Sequence, residues 1–388
     1  MIDGIRPFTI PVDLGDWDEL RRRLRATRWP DASPVPGWAL GMPLGELQEL
    51  CAYWADGYDW PARAASLNEL PQLRTDIDGA VIHAVHVRSS RSDAIPLVLS
   101  HGWPGSFVEF ADLVPLLVDP PPGEPAFDVV VPSLPGYGFS SAPDAGWGYP
   151  RIAAAWAELM SRLGYDRFGA AGSDWGTSIS ASLGQLFPDR VVGVHLIPPL
   201  AAPDPATFES LTPAEEQALA DAASRSRDAS AYGELQRTRP QTIGYALADS
   251  PAALAAWLVE KFWEWSDHDG DLFTVIPRDR ILDDLMVYWL TRSGASAARL
   301  YAESIRDVQR VLETPGADPV HVPVGASVFP RESPRPSRRW AELRFSDIRH
   351  WGEPARGGHF AALEQPNLLA GELRAFFGGL SGGAARRP

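Results

Sequence analysis

The chain has 388 residues, a formal net charge of −15, 45% hydrophobic and 22% charged residues, and a single cysteine, Cys51. These are the proportions of a globular protein long enough for one large domain with insertions, or for two domains. The acidic balance argues against nucleic acid and offers no polybasic face to a membrane, one cysteine excludes a disulfide framework or Cys-rich metal site, and no apolar run approaches the roughly 18 residues of a spanning helix.

Met1-Ile2-Asp3-Gly4 carries no basic segment followed by an apolar one, so a cytoplasmic protein is expected. Residues 1–70 read as helical, with amphipathic stretches at Asp16–Ala26 and Leu44–Ala55. Strand signals begin at Leu73–Ile77 and Val81–Val87, on either side of Asp78-Gly79, a hairpin turn pair. Strands Ile95–Ser100, Phe127–Val131, Asp166–Ala171 and Val191–Ile197 follow, alternating with helices Phe107–Leu117, Arg151–Leu163 and Thr177–Phe187. That alternation implies a mostly parallel sheet. From about residue 201 to 312 the pattern is helix upon helix, clearest at Ala214–Ala223, Ala252–Trp265, Ile281–Leu290 and Ala297–Val311. Strands return at Val320–Val328 and Leu343–Ile348, a last helix covers Asn367–Phe377, and the tail Gly378–Pro388 is expected to fray. Four parts are expected: a helical extension (1–70), a core in two pieces (71–200 and 313–388), and a helical lid between them (201–312).

The most informative motif is Gly172-Ser173-Asp174-Trp175-Gly176, between a strand and a helix. Small residues around a central nucleophile mark the sharp turn of the α/β-hydrolases. Here the centre is a carboxylate. Aspartate attacking a saturated carbon forms an ester, which water can open; serine would form an ether, which it cannot readily open. Asp174 therefore points to displacement at an epoxide or alkyl halide carbon. His101-Gly102-Trp103-Pro104-Gly105-Ser106 follows strand Ile95–Ser100, where this fold places an oxyanion-hole loop. The donors would be the backbone N–H groups of Trp103 and Trp175, and a cis Trp103-Pro104 bond would fix the loop.

His359, in Arg356-Gly357-Gly358-His359-Phe360 after the last strand, is the natural base. His83, His86 and His195 lie on strands, and His321 and His350 on or beside late strands; structural roles are expected for these five. His101 sits beside the loop and helps to shape it. The run Asp267-His268-Asp269-Gly270-Asp271 lacks the spacing of a calcium loop and reads as a solvated turn. Glu332, after the penultimate strand, is the topologically placed partner for the histidine, with Asp347 and Glu353 as rivals. An epoxide oxygen also needs an acid on leaving. Tyr232, Tyr245, Tyr288 and Tyr301 are the lid tyrosines, and spacing alone does not choose among them.

The constellation resembles the microsomal-type epoxide hydrolases over residues 3–377. The carriers are Ile5-Arg6-Pro7-Phe8, Leu24-Arg25-Ala26-Thr27-Arg28-Trp29-Pro30, the His101–Ser106 loop, Pro132-Ser133-Leu134-Pro135-Gly136-Tyr137-Gly138-Phe139-Ser140 and Gly357-Gly358-His359-Phe360-Ala361-Ala362. The resemblance implies an α/β-hydrolase fold with a helical lid inserted late in the sheet and an N-terminal helical extension. It implies Asp174 as nucleophile, His359 as base, Glu332 after Phe329-Pro330 as its acid, and Tyr232 and Tyr301 as proton donors. Tyr232 opens the pattern completed by Gln236, Thr238, Arg239 and Pro240, and Tyr301 falls in Arg299-Leu300-Tyr301. The implied reaction takes an aryl or bulky hydrophobic epoxide and water to a vicinal diol, without metal or cofactor, in detoxification or in natural-product (enediyne-type) biosynthesis. Membrane-bound members begin with an apolar anchor, whereas this sequence starts at the extension, so microsomal location is not carried over. A homodimer is expected by analogy. A haloalkane dehalogenase shares an Asp-Trp elbow and is the enzymatic alternative; a silent binding protein on the same fold is the non-enzymatic one.

Overall fold

The computed structural model describes residues 4–228 and 230–380; the chain start (1–3) and most of the tail expected to fray (381–388) lie outside them. Among the described residues, nine strands form one sheet: β1 (Arg6–Phe8), β2 (Gln72–Ile77), β3 (Ala80–Val87), β4 (Ile95–Ser100), β5 (Phe127–Pro132), β6 (Phe168–Ser173), β7 (Val191–Ile197), β8 (Val324–Ser327) and β9 (Ile348–Gly352). The spatial order is β1-β2-β3-β5-β4-β6-β7-β8-β9. The three pairings from β1 to β5 are antiparallel and the rest are parallel. Asp78 and Gly79 both take positive φ, 51° and 80°, as a tight two-residue hairpin between β2 and β3 requires.

Strands β4, β5 and β6 are buried at every residue, because helices cover both faces. Gly193 and Val194 show the two sides. A Cβ on Gly193 would stand 2.9 Å from Phe376 of the last helix, Pro366–Gly378. Val194 instead lies 3.3 Å from the Cβ position of Gly184, on helix Trp175–Leu186. Helices Pro213–Asp228, Ala231–Thr238, Pro240–Asp249, Pro251–Trp265, Arg278–Thr291 and Gly294–Glu313 lie between β7 and β8. The extension is fastened to this insertion by buried Asp283, which accepts from Tyr58 Oη at 2.8 Å and Arg63 Nε at 2.9 Å. No single helix among the described residues is long and apolar enough to cross a membrane, and the one apolar pair, Pro240–Asp249 and Pro251–Trp265, is bent by 117°.

Several elements differ from the sequence expectation. The expected helix Phe107–Leu117 is a 3₁₀ turn, Phe107–Phe110, followed by a short helix, Leu113–Val118; the Ser106 hydroxyl accepts from Val108 N and starts the turn. The expected strand Val320–Val328 shrinks to β8, and Val320 makes only an isolated bridge to Phe345. The expected strand Leu343–Ile348 begins only at Ile348. Its apolar start is loop because the short helix Arg338–Ala341 turns the chain, burying Trp340 and Phe345 directly in the core.

Candidate active site

Asp174 stands alone between β6 and helix Trp175–Leu186, at φ 52° and ψ −122°. Few non-glycine residues adopt such a conformation, and it persists only when the surroundings enforce it. Here they do. A Cβ on Gly172 would lie 2.5 Å from the Gly176 backbone, and one on Gly176 would lie 1.9 Å from Ser100 O. Only glycine lets strand, turn and helix close this tightly. Gly176→Ala is expected to cost about 3 kcal/mol through overpacking against a backbone that cannot yield. A drop in the urea unfolding midpoint checks this.

The His101–Ser106 loop reaches the elbow from β4. A Cβ on Gly102 would stand 2.1 Å from Asp174 Oδ1, so backbone lies directly on the carboxylate. Trp103 N–H donates to Asp174 Oδ1 at 2.9 Å, and the Trp103-Pro104 bond is cis. Trp175 is the first residue of its helix, so its N–H has no partner within that helix.

His359 follows Gly357-Gly358 after β9. Its N–H donates to Trp265 O at 2.9 Å, tying it to the inserted helices. Nδ1 lies 3.0 and 3.1 Å from the two oxygens of Glu332, and Nε2 lies 3.6 Å from Asp174 Oδ2. The imidazole thus sits between two carboxylates. Burial alone would depress it, but Glu332 and Asp174 together hold it well above the usual histidine range. Glu332 is 3% exposed and also accepts from Ser333 N at 2.8 Å. The rival acids are engaged elsewhere. Asp347 is bound by Arg349 at 2.8 Å, and Glu353 accepts from Trp351 Nε1 at 3.2 Å.

The lid tyrosines separate into two groups. Tyr232 and Tyr301 border the same cavity as Asp174 and His359. Tyr232 stacks on Trp103 with ring centres 5.1 Å apart; Tyr301 meets the Trp175 ring edge-on at 4.9 Å and hydrogen-bonds with Tyr232. Burial, then Tyr232 and Asp174, push the Tyr301 phenol well up. Tyr245 is 69% exposed, and Tyr288 is buried with its hydroxyl on Gly105 O at 3.0 Å. The cavity measures about 140 Å³, and Leu200, Ile305, Val308 and Leu312 give it an apolar wall.

The remaining histidines serve the framework. His83 bonds Ser133 and Gln72, and burial holds it down at about 3; His195 bonds Ser327 and is held, by burial first, at about 3. Buried His101 sits under the loop, accepting from Leu134 N at 3.2 Å. His268 bonds Trp263 O at 2.7 Å, and Asp271 caps a 3₁₀ turn. Two carboxyls escaped the sequence reading. Glu364 accepts from Asp267 N, Gly358 N and Phe360 N at 2.7 to 3.0 Å and so clamps the loop carrying His359; burial still pushes it up to about 7. Glu109 lies behind Asp174, bonded to Ser173. Glu364 stands two residues after the Gly357–Ala362 motif and Glu109 three after the His101–Ser106 loop, and that proximity is the only signal in the sequence.

The family model described as epoxide hydrolase N terminus matches residues 5–110, and the alpha/beta hydrolase fold model matches residues 95–258. A provisionally named epoxide hydrolase of Stigmatella aurantiaca is 48% identical over 379 residues, covering 96% of this chain and 85% of that protein. Epoxide hydrolase 1 of Sus scrofa is 34% identical, covering 97% and 89%. Among solved structures, the juvenile hormone epoxide hydrolase of Bombyx mori superposes with a TM-score of 0.89 at 30% identity, covering 97% of this chain and 95% of that one. The Aspergillus niger epoxide hydrolase gives a TM-score of 0.85 at 33% identity, covering 97% and 96%.

Proposed function

The chain belongs to the epoxide hydrolase family and hydrolyses epoxides, and on that premise we propose that it does so through an ester on Asp174. The observation that supports this reading is the elbow carboxylate itself, one oxygen on the Trp103 N–H and the other facing His359. Asp174 Oδ2 attacks an epoxide carbon while the Tyr232 and Tyr301 hydroxyls donate to the departing oxygen. The C–O bond breaks, a tyrosine proton passes to the alkoxide, and a glycol ester remains. His359, oriented by Glu332, then takes a proton from water, and that water attacks the ester carbonyl. The N–H groups of Trp103 and Trp175 hold the oxyanion, a contribution of roughly 3–4 kcal/mol per donor. The diol leaves, the acid formed on Asp174 returns its proton to the tyrosinate, and Asp174 is a carboxylate again. Side chains and water carry every step.

We further propose a single-ring aryl or short alkyl epoxide as substrate. A cavity of about 150 Å³ lined by apolar side chains accommodates benzene, and the cavity here is about 140 Å³. Turnover of a panel of aryl and alkyl epoxides, with chiral analysis of the diols, tests this. Activity confined to multi-ring epoxides sinks it. Broad tolerance favours a detoxifying role, and strict preference for one epoxide enantiomer favours a biosynthetic one. The same reading takes the enzyme as cytoplasmic, with the epoxide as its one required partner.

Removing one donor to the leaving oxygen should slow ring opening. Tyr232→Phe and Tyr301→Phe are each expected to reduce the alkylation rate about 10²-fold, and the pair to leave almost none, as general acids contribute 10²–10⁴-fold. Tyr245→Phe, at an exposed position, should be silent. Tyr288→Phe loses the bond to Gly105 O and should cost about 1 kcal/mol of stability with activity largely kept. Rapid-quench alkylation rates and urea unfolding read these outcomes.

A further inference from the structure

Glu109 has no part in the steps above, yet it is a buried acid beside them. It lies in the turn Phe107–Phe110, directly after the loop that reaches Asp174, and is 4% exposed. Ser173, the residue before Asp174, donates its hydroxyl to Oε1 at 3.2 Å. Oε2 has no hydrogen-bond partner among the described residues. It lies over Gly105, where an added Cβ would stand 2.6 Å from Oε2 and 3.7 Å from Gly102 O. Oε2 therefore sits in the hollow of the loop that supplies the Trp103 N–H.

A carboxylate offers about four acceptor sites. A buried one with a single long bond is poorly satisfied unless water completes its set. Burial is the main cause that pushes this carboxyl up to about 7; His359 and Ser173 oppose the rise, and Asp174 and Glu332 add to it. Glu109 in turn helps to raise Asp284 and Tyr288, both buried on helix Arg278–Thr291.

We propose that Glu109 is a positioning residue for the hydrolytic half-reaction: its Oε2 holds the water that His359 activates. The proposal rests on the aspartyl-ester reading. In that step the water oxygen bonds Cγ of Asp174 and its proton passes to His359 Nε2. The bond between Cγ and the glycol oxygen then breaks, and the proton leaves with the diol. Glu109 ends the step in the protonation state in which it began it.

Glu109→Gln keeps the volume and an acceptor for Ser173 but replaces one carboxylate oxygen with an amide donor. With styrene oxide as probe, the alkylation rate followed by tryptophan fluorescence should stay within about 3-fold, while ester hydrolysis slows about 10-fold or more. Ester-bound enzyme should accumulate by mass, and kcat and KM should fall together with kcat/KM retained. A purely structural role moves both steps or neither, so an unchanged ratio of hydrolysis to alkylation overturns the proposal. If Glu109→Gln does not fold, Ser173→Ala, which frees only the Oε1 anchor, should shift the same ratio in the same direction, and its failure to do so is equally decisive. Should no ester form even in His359→Gln, the aspartyl-ester reading falls, and this proposal with it. Should the ester form there while Glu109→Gln leaves the ratio unchanged, only the role of Glu109 is lost.

Discussion

In one turnover in heavy-oxygen water with enzyme in excess, the diol released first is expected to carry an unlabelled oxygen from Asp174. The reason lies in which bond each half-reaction breaks. Attack by Asp174 puts a carboxylate oxygen on the substrate carbon. Hydrolysis then cleaves the ester at its carbonyl, so solvent oxygen enters the enzyme first and appears in diol only in later turnovers. The geometry assigns the two oxygens different tasks. Oδ1 is held by the Trp103 N–H at 2.9 Å, and Oδ2 faces His359 at 3.6 Å. On the proposed mechanism Oδ2 is transferred and Oδ1 becomes the oxyanion. Asp174→Ala should reduce turnover on the order of 10⁴-fold or more, as loss of a covalent nucleophile does. Asp174→Asn should begin equally inactive and recover slowly if the amide hydrolyses. Immediate solvent label in the first diol would mean direct attack by water and would remove Asp174 from the nucleophile's role.

How much of this was legible in the sequence depends on how local the constraint is. The elbow and the His101–Ser106 loop were readable because each needs glycine where backbone meets backbone, as the 1.9 Å approach at Gly176 shows. The buried strands β4 to β7 were readable because both faces are covered, which leaves mostly apolar runs. The three-residue edge strand β1 was not, since Arg6–Phe8 is too short to show any period. Nor were the helices Ala231–Thr238 and Pro240–Asp249. Pro240 divides them, and each buries only one or two residues, so neither shows a broad apolar stripe. Spacing alone did not choose among the four lid tyrosines, and the resemblance of the surrounding motifs did. All sit in helical segments, and only the packing shows that Tyr245 faces solvent while Tyr301 faces Trp175. The segment from Leu343 misled for a related reason: Phe345 is buried in a loop and Leu343 is 46% exposed, so neither apolar residue marks a strand.

His359→Gln is expected to leave alkylation of Asp174 intact and to stall hydrolysis by about 10³-fold, within the range of general-base contributions. Protein plus substrate should then be the dominant species by mass within one turnover. The electrostatics explain why one imidazole serves two stages. In the free enzyme Glu332 and Asp174 outweigh the cost of burial and favour the protonated imidazole. That cation is no base, but it steadies two neighbouring carboxylates. When Asp174 becomes a neutral ester, one of the two charges is gone, and the pull that kept the proton weakens. The imidazole then loses it more readily and can accept one from water. The base works only when neutral, so hydrolysis should slow as pH falls through the imidazole's pKa in the ester state, and bound ester should build up on the acid side. Glu332→Gln should show a weaker form of the stall, because an amide still accepts from Nδ1 while no longer stabilising the imidazolium. Asp347→Asn should turn over normally, since that acid is spent on Arg349. If Asp347→Asn traps the ester while Glu332→Gln does not, the histidine's partner is on the last strand rather than at Glu332.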